Sequence, residues 1–235
     1  MKYRKLLIFC FFIIATVKTF AQKDRVEYLP SFDEKKIHYG FYLGLNNNDF
    51  KVDYKSTILN GTDISIEPQI GFNVGLIADL RLHKNVNLRF EPGLMSNTKK
   101  IIYNFIATEK DSVREAGSTF LHLPLILKLS TNRMDNVRPY VLAGVSYDYN
   151  FSSNEKNPDD NFAGEFRTKT HNFMYEVGIG IDIYLYFFKF SPSIRGVFAF
   201  NNEIIYDNPA NGTSKWTGPI NYLGTRGVFL SLAFE

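Results

Sequence analysis

From Ile70 to Leu82 the chain alternates without a break. Ile70, Phe72, Val74, Leu76, Ala78, Leu80 and Leu82 fall on one face, and Gly71, Asn73, Gly75, Ile77, Asp79 and Arg81 on the other. Successive side chains of a strand point to opposite sides, so this period is that of a strand with one wholly apolar face. It is also long enough to cross a bilayer, which takes about 9–11 tilted strand residues.

The pattern recurs along the chain. Apolar rows begin at Ile37 (Ile37 to Leu45), Val86 (Val86 to Leu94), Leu121 (Leu121 to Leu129), Val141 (Val141 to Tyr149), Phe173 (Phe173 to Ile183), Phe188 (Phe188 to Phe198) and Val228 (Val228 to Phe234). With the first segment they make eight strands. Every charged side chain in them lies on the second face: Asp79, Arg81, Arg89, Glu91, Lys128, Asp148, Glu176, Asp182, Lys189 and Arg195.

A soluble sandwich would turn that charged face to water, whereas a barrel in lipid turns it inward and gives its apolar face to hydrocarbon. Connection lengths decide between the two. The links after strands two, four and six are short, and those after strands one, three, five and seven run to roughly twenty residues. Short periplasmic turns alternating with long external loops are the signature of an outer-membrane barrel, whose closure satisfies every strand edge. The expected fold is therefore all-β: an eight-stranded antiparallel transmembrane β-barrel. Its outer face carries Tyr39, Phe41, Tyr147, Tyr149, Phe173, Tyr175, Phe188, Phe190 and Phe234, aromatic residues of the kind that form interfacial girdles. Pro92 and Pro192 cannot donate to a ladder and are expected at bulges or strand ends.

The N-terminus explains the address. Lys2, Arg4 and Lys5 precede the apolar run Leu6 to Val17, and Thr19-Phe20-Ala21 ends in a small residue, which reads as a secretory signal peptide cleaved after Ala21. The apolar run is too short for a spanning helix of roughly 20 residues. The division is then 1–21 signal peptide, 22–36 periplasmic arm and 37–235 barrel. Removing 1–21 removes four of the 27 basic residues (Lys2, Arg4, Lys5 and Lys18) and no acid, leaving 23 against 24. A near-neutral chain without a basic cluster gives no reason to expect nucleic acid. The one cysteine, Cys10, goes with the signal, so the mature chain has no thiol chemistry.

Eight strands enclose only enough room for side chains, so the nearly balanced inward charges are expected to pair into a plug. His38, His83, His122 and His171 show no metal-ligand spacing, and no serine or carboxylate is set beside them as in a catalytic motif. The expectation is a protein that is not an enzyme, with no cofactor and no metal, whose partners are outer-membrane lipids. His122 reads as a structural polar filler. Tyr28, Leu29 and Phe32 in the arm are candidate partner contacts, and so is Trp216 in the last loop, although folding back on the barrel rim is the role expected first for it.

The segment Leu29-Pro30-Ser31-Phe32-Asp33-Glu34-Lys35-Lys36-Ile37-His38-Tyr39-Gly40-Phe41-Tyr42-Leu43-Gly44-Leu45-Asn46-Asn47-Asn48-Asp49-Phe50 resembles the entry to the PorT/SprT family of small outer-membrane barrels. Arg138-Pro139-Tyr140-Val141-Leu142-Ala143-Gly144 is similar to a strand found across the wider barrel superfamily. The first resemblance implies a non-catalytic accessory or assembly component of type IX protein secretion, and of gliding motility where present, with other secretion components as partners. The chain departs in its ending, Phe234-Glu235, where the aromatic is penultimate. From the fold alone, the alternative is a general OmpA/OmpX-like barrel for adhesion, stress resistance or small-solute passage.

Overall fold

The computed structural model describes residues 26–55 and 64–235. The export signal assigned to 1–21 and the first residues of the arm lie outside them. The strands are β1 (Ile37–Tyr54), β2 (Ile64–Pro68), β3 (Ile70–His83), β4 (Val86–Phe90), β5 (Gly93–Tyr103), β6 (Val113–Ser130), β7 (Val137–Asn150), β8 (His171–Tyr184), β9 (Lys189–Ala199) and β10 (Ile220–Phe234). All pair antiparallel, and β1 pairs with β10 on one side and β3 on the other, so the sheet closes on itself.

The ring has eight staves. β4 and β5 are one barrel strand interrupted at Glu91-Pro92, both pairing with β3 and β6, while β2 extends β3 past Gln69 along the same edge of β5. Following partners once round shows the stagger: His38, Asp79, Arg89, Ile126, Gly144, Glu176, Val197, Gly227 and back to β1 at Asn48, ten residues beyond the start. That shear tilts the strands and sets a bore that side chains can fill.

The two prolines behave differently. Pro92 ends a ladder segment, and its carbonyl accepts from the Leu76 amide at 2.9 Å. Pro192 neither ends β9 nor bulges it: the pairing with β8 keeps one register from Gly180↔Ser193 to Ile183↔Phe190 across it. The strand tolerates the missing donor by leaving one stretch of that ladder unbonded.

The face assignment follows the charge pattern. Phe41, Leu43, Leu45, Phe72, Leu76, Val177, Ile179 and Leu230 are exposed outward, and their strand neighbours Tyr42, Asn73, Ile77, Glu176 and Phe229 are buried inside. Aromatic clusters band the outside at both ends. Phe41, Phe188 and Phe190 surround Phe234, with ring centroids 5.2–5.9 Å away, while Tyr147 meets Phe173 at 5.5 Å and Tyr175 meets Phe198 at 5.1 Å.

The strands run further than lipid requires. β1 continues through Tyr54, β6 starts at Val113 and β10 at Ile220. Beyond the bilayer the outward face meets water, so Asn47, Asp49 and Lys51 replace apolar residues there and the all-apolar row that marks a membrane strand stops early. These extensions and the long loops enclose a second core of Phe50, Ile101, Tyr103, Phe166, Ile204, Trp216, Ile220 and Leu223 that caps the external end.

Candidate functional site

The stagger that closes the ring also stacks the inward charges. Arg89 lies at the centre, 1% exposed. Its Nε donates to Asp79 at 2.8 Å, Nη1 to Glu91 at 3.3 Å and Nη2 to Glu235 at 2.6 Å. Arg195 continues the chain of pairs, 2.8 Å from Glu91 and 3.2 Å from Glu176, and donates to Ser231 at 3.1 Å. Lys128 donates to both oxygens of Asp182 at 2.7 and 2.8 Å and lies 4.0 Å from the centroid of the Tyr140 ring; Lys189 sits 3.1 Å from Glu235. Charges taken out of water are tolerated only when paired and hydrogen-bonded in this way.

His122 joins the same network. Its Nδ1 bonds Asp148 and its Nε2 lies 3.0 Å from Glu176, so both ring nitrogens face carboxylates. The polar filler expected from sequence is thus the bridge between two acids. Glu235, which sequence reading treated only as an irregular ending, supplies a buried carboxylate to Arg89 and Lys189. Its signal was present in the alternation: Phe229, Ser231 and Ala233 are inward, and Glu235 continues their parity.

Of the ten inward charges expected to pair, nine lie in this buried group. Arg81 is the exception. It is half-buried at the strand end, and its guanidinium donates to the Asp33 carbonyl of the arm. Past the network toward the exterior lies an apolar layer of Met95, Phe120, Met174, Val197 and Phe229. Ion pairs and apolar layer together fill the bore, so the interior is a plug. Among the described residues no group of three or more His, Cys, Asp or Glu side chains is arranged to hold a metal ion.

Of the candidate partner contacts, Tyr28 stays exposed, while Leu29, Phe32 and Trp216 are wholly or partly covered by this chain. Phe32 is half-buried at the periplasmic mouth, stacked on His38 with centroids 4.4 Å apart and 15° between planes, because the arm folds back over the barrel end. Leu29 is half-buried, its carbonyl held by Arg133 at 3.2 Å. Tyr28 stays exposed but packs edge-on against Tyr186 at 5.9 Å. Trp216 is 6% exposed; its Nε1 donates to the Asp111 carbonyl at 3.0 Å and its ring lies 5.2 Å from Phe162 inside the cap. Apolar residues in the last loop find cover in the cap, a tertiary contact that alternation cannot report.

The cap is fastened by buried carboxylates outside the bilayer. Asp207 accepts from Asn161 Nδ2 at 2.9 Å, from Thr217 Oγ1 at 2.9 Å and from Ser214. Asp160 accepts from the amides of Asn208 at 2.8 Å and Phe162 at 3.0 Å, tying the β7–β8 loop to the β9–β10 loop. Burial alone would raise the Asp160 carboxyl, but those amides and the Asn211 side chain hold it below its ordinary value. Glu203, buried and accepting from Thr225 N at 2.9 Å and Oγ1 at 2.8 Å, is raised by burial despite Lys99.

A family profile described as "Outer membrane protein beta-barrel domain" matches residues 20–204. The chain belongs to this family. The outer membrane is accordingly the location of this outer-membrane barrel protein. Solved structures to which it is similar include Neisserial surface protein A, at 7% identity over 85% of this chain and 98% of that one with a TM-score of 0.44. OprG from Pseudomonas aeruginosa is 13% identical over 84% and 93% of the two chains, with a TM-score of 0.47. AlkL in lipid bilayers is 15% identical over 92% and 94%, at 0.42. Comparison with curated proteins gives no match.

Proposed function

We propose that this outer-membrane barrel protein is a non-catalytic accessory or assembly component of type IX protein secretion, and of gliding motility where that occurs. The observation that carries this reading is the filled bore. The network around Arg89 and the layer of Met95, Phe120, Met174, Val197 and Phe229 leave no conduit for a protein cargo, so the barrel contributes through its surfaces. The resemblance of Leu29 to Phe50 to the PorT/SprT entry supports the assignment to that machinery. Its lipid face, its external cap and its periplasmic end are then available to hold larger components in the outer membrane.

The second reading is a general OmpA/OmpX-like barrel for adhesion, stress resistance or small-solute passage. Membership in the outer-membrane beta-barrel family supports this reading, since that match is to the barrel and not to a secretion role. Deleting the gene and following cargo proteins in the culture medium separates the two. Cargo retained in the cells supports the secretion reading; normal secretion and normal gliding in the deletion strain sink it in favour of the general barrel.

A further inference from the structure

The periplasmic mouth is built as a pocket for two adjacent side chains. Phe32 enters it first. Its ring lies between the His38 ring and Lys189, whose Nζ sits 4.7 Å from the ring centroid, with Tyr184 edge-on at 6.2 Å. Asp33 follows: both carboxylate oxygens accept from the Tyr184 hydroxyl at 2.8 Å, and one lies 3.3 Å from Arg138 Nη1. The Asp33 carbonyl accepts from Arg81.

The side chains that receive this pair are anchored in the barrel, although Arg133 and Arg81 also donate to carbonyls of the arm. Arg138 donates to the carbonyls of Thr131 at 2.9 Å and Lys84 at 2.6 Å. Lys189 is paired with Glu235, and the Arg133 guanidinium lies 3.8 Å from the centroid of the Tyr184 ring. His38 and Tyr184 are fixed in β1 and β8. A site whose side chains stay in place without their occupant is preorganised for another of the same chemistry.

The arm, by contrast, is held under strain. Leu29 has φ 49°, a left-handed conformation that a branched side chain adopts at a cost, and Pro30 follows it. Among the described residues of the arm, the three-residue 3-10 turn Phe32–Glu34 is the one helical element. An incoming segment must replace the contacts of Phe32 and Asp33 and the hydrogen bonds that Asn136, Arg133 and Arg81 donate to the carbonyls of Val26, Leu29 and Asp33, and relief of the strained Leu29 offsets part of that cost.

We propose that the periplasmic mouth is a receptor for an aromatic–acidic peptide segment, occupied here by the chain's own Phe32-Asp33, and that a periplasmic protein presenting an aromatic residue followed by an aspartate binds by displacing the arm. Charge selects the occupant. Arg81, Arg133, Arg138 and Lys189 surround the entrance, and the interior acids nearest them, Asp182, Glu235 and Asp79, are already paired to Lys128, Lys189 and Arg89. The mouth therefore accepts an incoming carboxylate and resists a basic segment. The inference stands under either functional reading, because it concerns binding and not secretion.

The test uses the full chain in detergent and a fluorescein-labelled peptide with the sequence of residues 28–36. The variant carrying Phe32→Ala and Asp33→Asn, which frees the mouth, should bind the peptide at least tenfold more tightly than the parent, whose tethered arm competes at high effective concentration. A peptide with the same two changes should not bind, and adding Arg138→Met to the freed variant should weaken binding tenfold or more. Faster gel migration of unboiled protein checks that each variant is folded. Folded freed variant that fails to bind, equal binding by parent and freed variant, or equal binding of the altered peptide would each overturn the proposal.

Discussion

Arg89 Nη2 lies 2.6 Å from Glu235 Oε1 inside the barrel, tying β4 to the residue that follows β10. The same guanidinium holds Asp79 and Glu91. Arg89→Met removes one cation from among three acids and leaves them buried against each other, a loss of about 3–5 kcal/mol for breaking a buried pair. Glu235→Gln keeps an acceptor for Arg89 but leaves buried Lys189 without its carboxylate, so it should also destabilise, though less than stripping the cation from three acids. Urea unfolding followed by the mobility of the folded band ranks the two against the parent; midpoints equal to the parent's would show that the network contributes nothing to stability.

Glycines facing the bore make room for two tyrosines. A Cβ on Gly180 would overlap the Tyr140 ring, and one on Gly93 would overlap the Tyr42 hydroxyl. Gly180→Val should therefore destabilise by about 1–3 kcal/mol through overpacking. Combining it with Tyr140→Ala should recover part of that loss, since the clash is with a side chain. The same unfolding measurement reads both, and no recovery in the double variant would refute the assigned contact.

The sequence exposes the barrel because lipid imposes one rule on every strand. Outward residues must be apolar, and thus Asp79, Arg89, Glu176 and Asp182 betray the inward parity by themselves. That rule lapses outside the bilayer, where Lys51 and Asp53 face water and the extension of β1 loses its mark. It also says nothing about partners across strands. His122 was visibly inward, but its place between Asp148 and Glu176 depends on the registers of β6 with β7 and β7 with β8. The docking of the arm was hidden for a related reason. Phe32 in a polar segment looks unpartnered until the closed ring brings His38, Tyr184 and Lys189 around it.

Two separate fillings close the bore, and this fixes an expectation for transport. Reconstituted protein should show no stable ion conductance across a planar bilayer. Replacing Phe120 and Phe229 with alanine opens the apolar layer but leaves the ion pairs of Arg89 and Arg195 beneath it, so that variant should remain closed as well. Steady single-channel steps from the unaltered protein would contradict the plug.

The cap has its own acid sensitivity, which the chain's single tryptophan reports. Asp160 is held below its ordinary value in the folded cap, so its contribution is present above the unfolded carboxyl value of about 3.9 and is lost as pH falls below it. Glu203 has the opposite sign: raised by burial, its contribution is present below about 4.3 and declines as pH rises through its folded value. Loosening of the tie between the β7–β8 and β9–β10 loops would let water reach Trp216, now packed on Phe162. Its fluorescence should shift to the red below pH 4 while the barrel still migrates as folded. Asp160→Asn removes the titrating group that gives the cap its acid limb, so the shift should flatten in that variant. An unchanged acid transition in Asp160→Asn would show that another group fastens the loops.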